Sequence, residues 1–443
     1  MKNTIPALAA VLALAACNPD LEVPNLNNPS AGGSATRSSV VANAQGLIGN
    51  VRGMSTGSVV TFGVWGRELY SLAPEEPRPF TDNLIGPRDP NSSGAGAYFN
   101  YGTLVQVRAL LQAVDGVSGM TDQEKQAVRG WGNTIAGFAY FQTALAYTEF
   151  GAPLEAPENP TGDLAPVATG EELYAKALAL FDEGYQQLQA GGSAFPFSLT
   201  PGYAGFDTPA TFARVNRALK ARTLKYMGRW ADVLTTLGQS FIDPNASLDL
   251  GAWNSYFAAD NAFNPFNNPR TQYMHPRFLL DAHLKANGQK DDRATSKVIA
   301  APSFTQQGVT VTEKPNMYPT STSPFPLITN EELILIRAEA KLGTGDAPGA
   351  LADLNIVRTK AGGLDPATGL TGTALLDEIL YNKFYSLIWR GGFTYWDARQ
   401  YDRLNQLPRA LPNHVVFNRV NWPANECVAR AMTTGPCGPV DGF

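Results

Sequence analysis

Residues 327–363 read LITNEELILIRAEAKLGTGDAPGALADLNIVRTKAGG, and this stretch spells two helices joined by a tight turn. Thr329 with Glu332 three residues on has capping-box spacing, so the first helix is expected to open near Asn330. Leu333, Ile336 and Ala340 fall on one helical face. Gly343 and Gly345 end that helix, because glycine takes the left-handed conformation that a helix C-terminus needs. Asp346 caps the second helix and Pro348 is tolerated in its first turn. Leu351, Leu354 and Val357 continue an apolar face until Gly362 and Gly363 stop it. Alanines at 338, 340, 347, 350 and 352 let two backbones approach closely. Short helices, small residues at the crossing and a face that only a neighbouring pair can bury define a tetratricopeptide-type hairpin.

The pattern returns upstream. ALKARTLKYMGRWADVLTTL at 218–237 is again small and apolar, turns at a glycine and carries Ala-Asp in its second helix, which reads as a divergent internal repeat. Between and before these pairs lie further helices: 36–60, 98–115 through Leu104, Val107, Leu111 and Val114, and a long one from the Thr121/Glu124 box to about Phe150. Another runs from the Thr169/Glu172 box to about Gln189, and Thr208-Pro209 opens the next. Residues 373–390 form an amphipathic helix through Leu376, Ile379, Leu380, Phe384 and Leu387. Two long segments, 61–97 and 239–326, mix aromatics with Pro and Asn and read as loops. With 44% apolar residues the chain has enough for a real core, and 42 Gly with 32 Pro imply much irregular surface. The net charge of −5, with no basic run, argues against a nucleic-acid partner.

Residues 1–17 stand apart from the fold. Lys2 followed by the apolar run Ile5–Ala16 is too short to span a bilayer and reads as a secretory signal. Leu14-Ala15-Ala16-Cys17 matches the bacterial lipobox, so Cys17 is the expected lipidation site, and several acyl chains give stable anchoring. Residues 18–34, NPDLEVPNLNNPSAGGS, read as a flexible tether, leaving 35–443 as one domain. In an exported chain the two remaining cysteines, Cys427 and Cys437, are expected to pair, free thiols being the other reading.

Catalytic and cofactor signatures are missing. Gly53-Met54-Ser55-Thr56-Gly57 has the G-x-S-x-G form, but neither flank offers the strand and helix that this chemistry needs. Asp89-x-Asn91-x-Ser93-Gly94 starts like a calcium loop, but Asn100 stands where the bidentate glutamate belongs, so it reads as a turn. His275, His283 and His414 are scattered, and no metal-ligand or phosphate-cradling motif occurs, so no metal and no cofactor is expected. Paired carboxylates are recognised only by their separation in space, which leaves a surface glycoside hydrolase open as a third reading.

The 327–363 hairpin resembles the recurring hairpin of the SusD/RagB family of surface nutrient-binding lipoproteins. Leu335, Ala338, Glu339, Ala340, Gly345, Ala350, Asn355, Val357, Arg358, Ala361 and Gly362 carry the likeness, and Lys360 replaces the family's second arginine. The turn 147–154, the pair Asp291-Asp292 before Arg293, and Gly392, Trp396, Asp397 and Arg399 extend it, from Cys17 to about residue 412. Asn382-Lys383 stands where Glu-Arg is usual, so any ion pairs of those charges are rearranged here.

The resemblance implies an all-α scaffold of tetratricopeptide-like pairs whose long irregular loops form the ligand face, in a binding protein rather than an enzyme. It implies outer-membrane anchoring through Cys17, an oligosaccharide or peptide ligand, and a TonB-dependent β-barrel transporter of the SusC type as partner. The rival reading is a lipid-anchored helical-repeat scaffold of an assembly complex with no small ligand. Loop aromatics separate the two, because sugars pack their C–H faces on aromatic rings. Trp65 and Tyr70 in one segment, and Trp253, Tyr256 and Phe257 in the other, are the candidates, Trp253 first. Any one of them could instead plug a small core under its loop.

Overall fold

The computed structural model describes residues 35–156, 162–267 and 270–443. The signal segment, Cys17 and the tether lie outside the described residues. Residues Thr36–Phe443 form one compact unit. Its scaffold helices are α1 (Arg37–Thr56), α2 (Val59–Trp65), α3 (Tyr101–Gly116), α4 (Asp122–Ala146), α5 (Gly170–Gln189), α6 (Pro209–Tyr226), α7 (Trp230–Leu237), α8 (Asn330–Gly343), α9 (Ala347–Gly362), α10 (Gly372–Leu387) and α11 (Phe393–Gln400). Among the described residues no helix is long and apolar enough to cross a membrane.

Consecutive helices pack as hairpins: α3 on α4, α4 on α5, α6 on α7 and α8 on α9. Small residues set the approach. A Cβ on Gly130 would meet Leu188 Cγ at 2.6 Å, so α4 and α5 can close only with glycine there. From Ala127 onward α4 is buried almost all round, which makes it the central helix of the first half. The two sequence-related hairpins are neighbours in space, with α8 lying on both α6 and α7. Each repeat thus covers the apolar face that the other cannot bury alone.

The Thr121/Glu124 and Thr169/Glu172 capping boxes are reciprocal, side chain to backbone in both directions, and Asp346 caps α9 by accepting from Gly349 N at 2.9 Å. The box expected at Thr329/Glu332 is not formed. Glu332 is taken by Arg222 of α6 in a two-pronged pair at 2.5 and 2.7 Å. Thr329 Oγ1 accepts from Arg390 at 3.1 Å. The first amides of α8 go instead to chain carbonyls, Asn330 N to Leu250 O and Glu331 N to Leu248 O, at 2.7 and 2.9 Å. A tertiary ion pair has outcompeted a local cap.

The segments expected as loops carry more structure than their composition suggests. Residues 59–65 are helical, and β1 (Leu69–Ser71) follows. Within 239–329 lie β2 (Gly251–Asn254), β3 (Gln272–Met274), β4 (Val298–Gln306), β5 (Val309–Pro315) and β6 (Phe325–Thr329). They form small antiparallel pairs: β1 with β3, β2 with β6, and the hairpin β4–β5. At 89–93 the chain turns, with Asp89 Oδ1 accepting from Asn91 N at 2.7 Å. Cys427 and Cys437 are joined by a disulfide, their Cα atoms 5.6 Å apart. Closing a loop of this size stabilises by about 2–3 kcal/mol.

Two buried polar clusters tie the halves together. Lys225 (α6), Glu339 (α8), Lys383 (α10) and Asp397 (α11) gather from four helices into a charge-balanced quartet. Lys383 Nζ reaches Glu339 at 2.8 Å and Asp397 at 2.7 Å, Lys225 bridges the same two carboxylates, and Tyr401 donates to Glu339 at 2.8 Å. Burial pushes the Asp397 carboxyl up, but Lys225 and Lys383 outweigh it and hold it below the usual carboxylate range. Elsewhere in the core, Arg67 is fully buried and donates to the carbonyls of Val64, Trp65, Pro408 and Val415 at 2.7–3.1 Å.

Candidate functional site

Three loop segments meet around one open pocket of about 710 Å³, within the usual size of a ligand site. Residues 201–204 supply one wall, 249–257 the floor, and Thr322 with Pro324 the opposite rim. The floor is held by β2, which pairs with β6 in the register Gly251↔Thr329, Ala252↔Ile328, then, after a bulge, Trp253↔Pro326 and Asn254↔Phe325. A bulge re-aims the side chains that follow it, and here it falls immediately before Trp253.

The first wall is a 3-10 turn, Pro201–Tyr203, fixed tightly to the floor. Gly202 N donates to Ser255 Oγ at 2.8 Å. A side chain at 202 would overlap the Trp253 carbonyl, so only glycine allows this approach. The third segment is tied in by Asn264, whose amide bonds Ser321 O and whose side chain bonds Ser323 O, each at 2.8 Å.

Trp253 is half-buried, and its indole N–H donates to Asp249 O at 3.1 Å, which orients the ring and satisfies its polar edge. Phe257 is half-buried too, pinned by paired backbone bonds to Ala262. Tyr256 is buried against the guanidinium of Arg52, 5.2 Å from the ring centre. Its hydroxyl lies beside Thr56, without a well-formed hydrogen bond among the described residues, and burial pushes its pKa up to about 12. The structure therefore brings Trp253, Tyr256 and Phe257 into one pocket.

It does not bring Trp65 and Tyr70 there. Trp65 is 1% exposed, bonded through its indole N–H to Asn83 at 2.8 Å and enclosed by Phe62, Tyr395 and Phe417. Tyr70 is 1% exposed, bonds His275 Nε2 through its hydroxyl at 2.9 Å and belongs to a buried hydrophobic cluster. Both are core residues with satisfied polar atoms, not a solvent-facing platform. Sequence reading also missed Gly202, Asp249, Ser255 and Thr322. The Pro201-Gly202 dipeptide was the available signal, since it marks a turn, but nothing local says that the turn lands on Trp253.

No family model matches the chain, and a search of curated proteins finds no match. Solved structures do resemble it. A SusD superfamily protein from Bacteroides vulgatus aligns with a TM-score of 0.67 at 16% identity over 92% of this chain and 98% of that one. A second SusD superfamily protein from the same species gives 0.64 at 17% identity, covering 90% and 98%. Surface glycan-binding protein A from Bacteroides uniformis gives 0.56 at 14% identity, covering 77% and 84%. With such coverage and such low identity the likeness concerns architecture, and in architecture this helical, tetratricopeptide-like chain has the fold of the SusD superfamily.

Proposed function

We propose that this protein is a lipid-anchored, surface-exposed glycan-binding protein that passes oligosaccharide to a TonB-dependent outer-membrane transporter and performs no catalysis of its own. The observation that carries the reading is the pocket in which Trp253, Tyr256 and Phe257 meet. Aromatic faces with a few fixed polar groups suit the alternating C–H and hydroxyl surfaces of sugars. Two of the structural neighbours are described as a surface glycan-binding protein and a SusD-like carbohydrate binding protein, which supports the same ligand class. The match of Leu14-Ala15-Ala16-Cys17 to the lipobox supports placement at the membrane through a lipid on Cys17.

The test is calorimetric titration of the soluble Thr36–Phe443 unit against a panel of oligosaccharides, alongside Trp253→Ala. The variant is expected to weaken glycan binding roughly tenfold or more, as for a central aromatic contact, while the melting temperature moves little. Normal binding by the variant would place the glycan elsewhere.

A further inference from the structure

We infer that the pocket selects uncharged oligosaccharides and discriminates against both acidic glycans and extended peptides. The inference rests on the reading of this pocket as a glycan site and names the class of glycan it takes.

Three observations carry it. The first is charge. Among the described residues lining the pocket, Asp249 bears the one formal charge, and no Lys, Arg or His lines it. The nearby cation, Arg52, lies against the Tyr256 ring and outside the lining. A uronate or sulfate entering here would give up water, find no cation in the lining to pair with and meet the negative charge of Asp249. A sugar hydroxyl, in contrast, can donate to that carboxylate in a charge-assisted hydrogen bond.

The second observation is the state of the indole. Its N–H is already spent on Asp249 O, so Trp253 offers the ligand its ring face and not a donor for an anion. The third is the strand edge. An extended peptide binds most simply by adding a strand. Here β2 is paired with β6 on one side, and the Trp253 carbonyl is covered by Gly202, whose own N–H is held by Ser255. The site therefore has rings and a carboxylate to offer but no free backbone edge.

The experiment titrates the same soluble unit with length-matched neutral, uronic-acid and sulfated oligosaccharides and with unstructured peptides, at low and high sodium chloride. Asp249→Asn is run in parallel; the side chain is exposed, so the change leaves the core intact. At least one neutral glycan should bind with little salt dependence, since no ion pair is formed. Its acidic counterparts should bind at least tenfold more weakly, and Asp249→Asn should shrink that gap to a few-fold. Acidic glycans binding as tightly as neutral ones, a gap unmoved by Asp249→Asn, or peptide binding at the pocket would each overturn the selectivity while leaving a ligand site in place. Failure of every glycan class would overturn the functional reading itself and the selectivity with it.

Discussion

His414 is buried, with neither ring nitrogen hydrogen-bonded among the described residues, and it lies near Phe80 and Tyr70. Burial, with Arg67 adding to it, pushes its pKa down to about 4, and burial likewise holds His275 well below its ordinary value. A histidine that is neutral in the folded state takes up a proton on unfolding once the pH drops below its unfolded value of about 6.5. Its contribution is therefore complete above about pH 6.5 and is lost progressively as the pH falls toward the folded value. Urea midpoints should decline from pH 7 to pH 5 through the histidines, with Glu68, whose carboxyl burial raises above its ordinary value, contributing in the opposite sense. His414→Leu should flatten part of that slope, because it removes the unsatisfied ring while roughly keeping its volume. An identical pH slope in the wild-type protein and in His414→Leu would contradict the assignment. Below about pH 4 a second loss is expected, since Asp397 and Asp291 are both held below the usual carboxylate range by buried cations despite the opposing effect of burial.

At the scale of elements, the buried quartet joins α6, α8, α10 and α11, and each cation there serves two carboxylates. Lys383→Met should cost about 3–5 kcal/mol in urea titration, because it strands a buried negative charge. Pairing it with Glu339→Gln should cost less than the sum of the two single changes. The hairpins that present these groups were legible in the sequence, because their small-residue crossings and glycine turns are local signals. The quartet itself was only half legible. Lys383 visibly departs from the pattern of the family it resembles, but its partners Glu339 and Asp397 come from other helices. The failed cap at Thr329 has the same cause, since Arg222 sits 110 residues away from Glu332. The candidate aromatics divide along this line too. Trp65 closes the largely apolar run 59–64 while Tyr70 and Trp253 stand in mixed, partly polar stretches, and distant partners, Asn83 or His275 for two of them, decide which are walled in. The β4–β5 hairpin was missed because its alternation was read as loop.

For the whole molecule, the proposed handover to a transporter makes a prediction about native membranes. Mild-detergent extraction should recover this protein together with a much larger outer-membrane barrel, and Cys17→Ser should release it from the membrane fraction. Recovery of a lone monomer across several detergent strengths would count against the partnership. Beyond where the protein sits, Arg67 bears on the order in which it folds. Two of the four carbonyls that satisfy its guanidinium, at 408 and 415, lie more than 300 residues downstream, at separations of 341 and 348. Until that late segment has emerged and returned, the early core around Trp65 would have to enclose an unsatisfied cation, so it stays open. The α4–α5 hairpin is closed chiefly by contacts between neighbours in sequence and holds no buried cation that waits on the late segment. In pulse-labelled refolding, amides of 122–189 should become protected well before those of 59–71, leaving the first-made core as one of the last to seal.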